Sequence, residues 1–196
     1  MLTYRISNLY PPGPIPGDPV PVPCFKENTR ILCRINDVEG YLPIQYLKKG
    51  TLVKTFTGAF KKVEMIGKRQ MHHMIHQTRI KDQLYKLTPQ KYPSLFEDLV
   101  ITGCHSTLAW DFKEGEREKT IQVLGKVFLT EGHYRLPACV DERAKPYENE
   151  GMYNIYHFAL ENDDTYMNYG VFANGLLVET CSKRFLREYS GMKLLE

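Results

Sequence analysis

The chain lacks any run approaching the roughly eighteen apolar residues of a membrane-spanning helix, so no such span is expected. It has no Cys-x-x-Cys pair, and its cysteine count, five in 196 residues, is odd. A chain of this length needs no disulfide staples, and reduced thiols inside a cell are expected. The opening MLTYRISNLYPPGPIPGDPV has neither an apolar central run nor a small-residue cleavage site, so it does not read as a secretory leader. There is no basic stripe interleaved with aromatics, and the net charge is only +3; nucleic acid is not an expected partner. No His-Glu-x-x-His motif is present, and Gly125 and Gly175 belong to no phosphate loop. Neither a metal nor a cofactor is expected.

What remains is the composition of a soluble globular protein: 42% apolar and 25% charged residues, enough for one medium domain with arms. Pro11, Pro12, Pro14, Pro16, Pro19, Pro21 and Pro23, with Gly13 and Gly17, make the end of the 1–23 segment extended and polyproline-like. Leu2, Tyr4, Ile6, Leu9 and Tyr10 before it are apolar enough to seek a partner surface. From Thr29 the pattern is of short β-branched runs punctuated by glycine: 31–35, 50–56, 62–67, 81–87, 98–102, 106–110, 120–129, 153–160 and 171–180. A helical turn is expected within 41–50, closed by Gly50, and a short late helix over 182–189. Strands of about five residues at this spacing predict an all-β fold, sandwich-like or barrel-like.

Three segments carry chemistry. Cys24 follows the proline-rich arm directly, so its thiol lies beside the carbonyl of Pro23. Such proximity is worth about 7–11 kcal/mol where geometry allows attack; the plainer alternative is a small buried hydrophobe. Thr102 and His105 are three residues apart, on opposite faces of a continuous strand, but a turn at Gly103 would bring both to one point. A hydroxyl and an imidazole at one carbonyl are what an acyl shift needs, one polarising the amide and the other moving protons. Alternatively, His105 is a core histidine donating to a backbone carbonyl. Asn174-Gly175 reads as a hairpin turn, followed by an apolar strand leading to Cys181.

In this order the segments resemble the Hint superfamily, the hedgehog autoprocessing domains and inteins. Cys24-Phe25 with Thr29 and Ile31 looks like the opening block. Leu47-Lys48-Lys49-Gly50-Thr51-Leu52-Val53 is similar to "L-x-x-G-D-x-V", with Thr51 in place of aspartate. Thr102-Gly103-Cys104-His105 is similar to the T-x-x-H motif, and Phe172-Ala173-Asn174-Gly175-Leu176-Leu177-Val178 to the closing "F-x-A-N-G-I-L-V" strand. The resemblance implies a Hint-type horseshoe of short, mostly antiparallel strands over 24–181, flanked by the arm 1–23 and a C-terminal helix and tail, 182–196. It implies Cys24 as nucleophile forming a thioester, with Thr102 and His105 activating the Pro23–Cys24 bond. His157 falls where the family often carries a polar strand residue near the site, and equally reads as a strand histidine facing solvent. Cys181 falls where an intein's downstream nucleophile would sit, or is a buried thiol before the last helix.

The departures are specific. Inteins end the closing strand in His-Asn, and the asparagine cyclises; Glu179-Thr180 stand there and cannot. N-terminal cleavage or ligation, rather than splicing, is therefore implied. Pro23, with its fixed φ, counts against a ready shift. Two functions follow: a single-turnover autoprocessing protein whose substrate is its own N-terminal arm, or a catalytically silent Hint scaffold held to neighbouring chains through residues 1–23. A larger assembly of that kind could be a virus particle, since Hint-like domains also occur in large DNA viruses. Among the remaining features, His72-His73-Met74-Ile75-His76 reads as a polar loop rather than a metal site. Glu114 to Lys119 reads as a solvated turn, Asp163-Asp164 as a hairpin tip, and Trp110 as core.

Overall fold

The computed structural model describes residues 21–195, so most of the expected proline-rich arm lies outside the described residues. The first seven strands are β1 (Phe25–Lys26), β2 (Arg30–Ile35), β3 (Val38–Pro43), β4 (Leu52–Lys54), β5 (Phe60–His73), β6 (Leu84–Leu87) and β7 (Leu99–Thr102). They are followed by β8 (Ser106–Ala109), helix α1 (Glu116–Leu124), β9 (Leu129–Thr130), β10 (His133–Pro137) and β11 (Lys145–Pro146). The chain closes with β12 (Gly151–Leu160), β13 (Gly170–Ala173), β14 (Leu176–Glu179), helix α2 (Lys183–Glu188) and β15 (Lys193–Leu195). The protein is all-β, as expected, and every strand pairing among the described residues is antiparallel.

The strands follow one open path, β11-β6-β7-β1-β12-β5-β4-β2-β13-β14-β8-β10-β9, with β3 beside β2 and β15 beside β5. The long β5 joins its two halves: residues 60–62 pair with β4, and residues 63–73 with β12. Asn174 and Gly175, at φ 48° and 94°, make the tight hairpin between β13 and β14, the left-handed pair that a two-residue turn of this hand requires. A Cβ on Gly175 would lie 2.2 Å from the Ser94 carbonyl oxygen, so that corner admits glycine alone.

The main core gathers Phe25, Ile31, Val53, Ile101, Phe158 and Val171 from both halves. A second cluster holds Val22, Cys24, Leu84, Ile155, Cys181 and Met192. The C-terminal segment thus packs directly on the start of the domain, and a Cβ on Gly67 of β5 would meet Met192 Cβ at 2.9 Å.

Several expectations need correction. Residues 120–129 do not form one strand: α1 runs Glu116–Leu124, and only Leu129 enters β9. The good helix formers Glu116 to Lys119 start the helix, Glu116 and Glu118 oppose its N-terminal dipole, and Gly125 in the left-handed region ends it, its N–H bonding to the Ile121 carbonyl. The segment read as a solvated turn therefore contains the first turn of a helix. Trp110 is not core. It is 78% exposed, lying on the ring of His133 with centroids 4.2 Å apart. His72 and His73 end β5 rather than lying in a loop, and buried His73 bonds to the Tyr147 carbonyl and accepts from the Leu84 N–H.

Candidate active site

Strand β1 lies between β7 and β12, with Phe25 opposite both Ile101 and Tyr156. This sets Cys24 beside Thr102, the last residue of β7, and beside the stretch of β12 that carries His157. The chain then turns sharply: His105 N–H donates to the Thr102 carbonyl at 3.0 Å, and β8 leaves to pair with β14. Gly103 makes that corner, where a Cβ would lie 2.4 Å from the Ile80 carbonyl oxygen and 2.9 Å from that of Lys81. The threonine and histidine, on opposite faces of a straight strand, thus converge.

Thr102 grips the Pro23–Cys24 junction. Its Oγ1 accepts the Cys24 N–H at 2.8 Å and donates to the Val22 carbonyl at 2.9 Å, while its own N–H donates to the Cys24 carbonyl at 3.0 Å. The nitrogen of the bond implicated by sequence is therefore held by a side chain 78 residues away. Among the described residues no hydrogen bond reaches the Pro23 carbonyl.

His105 is fully buried, and its Nε2 lies 3.2 Å from the Glu179 carbonyl oxygen. A carbonyl can only accept, so Nε2 carries the proton and Nδ1 is the bare, basic nitrogen. Nδ1 has no hydrogen bond of normal geometry among the described residues, although the Cys24 backbone is near enough to raise the imidazole's pKa. Burial outweighs that contact and pulls the pKa down to about 3, so the ring is neutral across the physiological range. Phe25 stands edge-on to His105 at 4.2 Å between centroids, and His157 lies 5.0 Å from His105.

His157 does not face solvent. Both its ring nitrogens are buried without a hydrogen-bond partner among the described residues. Burial, then the neighbouring His105, holds its pKa well below the ordinary range.

The Cys24 thiol is enclosed, with Sγ 4.0 Å from Met192 Sδ. Burial, reinforced by Cys104 and then partly opposed by Arg69, pushes its pKa well up, so the thiol is protonated at rest. Cys181 packs in the same cluster immediately before α2, and its thiol donates to the Phe158 carbonyl at 3.3 Å. It is buried, and burial also raises its pKa.

Sequence reasoning missed three participants in this neighbourhood. Cys104 lies 3.7 Å from Thr102 Oγ1. Glu179, weighed only as a departure from His-Asn, is buried, its Oε2 ion-paired with Arg135 Nη1 at 3.0 Å and its Oε1 accepting the Ser106 N–H at 3.2 Å. A cavity of about 200 Å³ adjoins them, with Pro23, Cys104, Arg135, Glu179 and Cys181 among its walls. The one available signal was a charged residue at the end of the apolar run Leu176-Leu177-Val178.

No family model and no curated protein matches the chain. Solved structures do. The likeness is to inteins. The gp41-1 intein is 14% identical with a TM-score of 0.41, covering 80% of this chain and 98% of its own. A DnaB intein from Synechocystis sp. PCC 6803 is 11% identical, also at 0.41, covering 81% and 99%. The MchDnaB-1 intein is 7% identical at 0.37, covering 80% and 98%.

Proposed function

We propose that this is a Hint-type autoprocessing domain in which Cys24 attacks the Pro23 carbonyl and converts that peptide bond to a thioester. The observation that carries the reading is the Thr102 hydroxyl on the Cys24 N–H. The atom that must become an amine is held by an oxygen able to guide a proton to it. The thiol and the nearby imidazole are both neutral, so the shift is a proton relay between uncharged groups. The Sγ–H adds to the Pro23 carbonyl carbon, and His105 Nδ1 takes the thiol proton. The C–N bond breaks, the same proton passes to the Cys24 nitrogen, and a Pro23–Sγ thioester and a free Cys24 amine remain. An imidazole depressed by burial is a weak base but a good relay, since it readily gives the proton up. The substrate is the chain's own segment 1–23, and the bond is resolved by cleavage or ligation rather than splicing.

A second reading is favoured by one observation: the Cys24 thiol is sealed against Met192. On that reading the domain is a silent Hint scaffold, with residues 1–23 docking neighbouring chains. Intact-mass spectrometry with and without hydroxylamine separates the two. Loss of residues 1–23 in hydroxylamine, abolished in Cys24→Ala, supports the autoprocessing reading. An unchanged mass supports the scaffold.

A further inference from the structure

The cavity of about 200 Å³ beside Pro23 has no part in the acyl shift itself. Leu124 of α1 and Phe185 of α2 are among its apolar residues, and Pro21, Lys81 and Phe185, which line it, are only half-buried, so solvent can reach it. One anionic group lines it, the Glu179 carboxylate. Of the four lone-pair directions of a carboxylate, one is committed to the Ser106 N–H and one to Arg135, and the Ser106 hydroxyl lies close enough to engage a third. Among the described residues one direction is left for a ligand, and Pro23, which would carry the thioester, lines the same space.

We infer that Glu179 is the general base that brings water onto the Pro23 thioester, making this cavity the acceptor site of a hydrolytic release. The inference rests on the thioester reading above. A water bonded to a Glu179 oxygen gives up one proton to the carboxylate as its oxygen bonds to the Pro23 carbonyl carbon. The C–S bond then breaks, and Cys24 Sγ leaves as a thiolate that takes that proton from Glu179. The products are a Pro23 carboxylic acid and a free Cys24 thiol. Burial raises the carboxyl's pKa, against the opposing charge of Arg135, which makes the carboxylate a stronger base than an exposed one.

The charged and titratable groups facing Glu179 are Arg135 on β10, His105 and Cys104 at the turn before β8, Cys181 beyond its own strand, and Lys81 at the cavity wall. His105 is the rival base. Burial holds the His105 pKa down to about 3 and pushes that of Glu179 up, so whether Glu179→Gln removes the ionisation from the pH profile tells the two bases apart.

The test uses the full chain and Glu179→Gln, each incubated in buffer or with hydroxylamine, and follows release of residues 1–23 by intact mass. Glu179→Gln should slow release by water on the order of 100-fold, the usual contribution of a positioned base. Hydroxylamine, nucleophilic without a base, should release the segment from both proteins within about threefold. The buffer rate of the unaltered chain should rise through one ionisation that Glu179→Gln removes. Equal buffer rates, or equal losses with water and hydroxylamine, overturn the role of Glu179 while leaving the thioester standing. No release from the unaltered chain in hydroxylamine overturns both. Should Glu179→Gln melt early because Arg135 is left unpaired, Glu179→Gln with Arg135→Met removes the stray charge and is judged by the same ratio.

Discussion

The sharpest exposure of the site's geometry is Thr102→Val, which keeps the shape of the side chain and removes its oxygen. In the protein that oxygen serves two buried backbone groups at once, the Cys24 N–H at 2.8 Å and the Val22 carbonyl at 2.9 Å, in residues that are themselves buried. A buried polar group stripped of its partner costs about 1–3 kcal/mol. Among the described residues the N–H has no other acceptor and the carbonyl no other donor, so the pair should cost about 2–4 kcal/mol. In a chain of this size each kcal/mol lowers the melting temperature by about 2–4 °C, so thermal unfolding followed by circular dichroism should move down by roughly 4–16 °C. Thr102→Ser, which restores the oxygen, should recover most of that loss. A Thr102→Val protein melting within about 2 °C of the parent would refute the bridge, and with it the claim that the Pro23–Cys24 bond is held from β7.

The two buried neutral imidazoles make stability depend on acid. His105 and His157 have folded pKa values below their unfolded ones, so the unfolded chain takes up protons first. The sign follows: their contribution is complete above about pH 6.5 and is lost as pH falls, each imidazole contributing up to about 1.4 kcal/mol per unit. For His105 the window runs from about 6.5 down to about 3. Denaturant titrations across pH 7 to 4 should show a steep loss, and His157→Phe should halve the part due to these rings; identical slopes would contradict the burial of His157. Gly103→Ala should cost about 1–3 kcal/mol or more, since two of its three close contacts are carbonyl oxygens that cannot step aside. A melting temperature unchanged by that substitution would remove the reason Thr102 and His105 meet.

Much of the site was legible because its signals are local. Thr102-Gly103-Cys104-His105 announces a turn through its glycine, and the turn is there, closed by a hydrogen bond from the His105 N–H to the Thr102 carbonyl. Asn174-Gly175 demands a left-handed pair and has one. The misreadings arise where distant partners decide. Ile121 to Leu124 looks like strand, but the helix nucleated by Glu116 to Lys119 carries through it, and its Val123 and Leu124 find the cavity wall. Trp110 follows β8 in sequence yet is left outside, tilted against the ring of His133 rather than in the core. His157 offered no hint of its burial, because its neighbours Phe25 of β1 and His105 of the turn before β8 lie 132 and 52 residues away in the chain.

Glu179-Thr180 show most clearly how a change of residue type reshapes a site without dismantling it. Thr180 is fixed three ways: its N–H donates to the Tyr169 carbonyl, its Oγ1 accepts the Tyr169 N–H, and its carbonyl accepts from Asn168 Nδ2. A side chain committed to that latch ties the end of β14 to the strand before it. Glu179 divides its duties differently, its carbonyl holding His105 in one tautomer and its carboxylate joined to Arg135. A buried pair like this is costly to break, since loss of either partner strands a charge at about 3–5 kcal/mol. Its members are therefore fixed in position at the cavity that Pro23 also lines. Glu179 and Thr180 are thus both built into the fold at the end of β14, and on the autoprocessing reading proposed above the same two residues would oppose splicing and leave hydrolysis open.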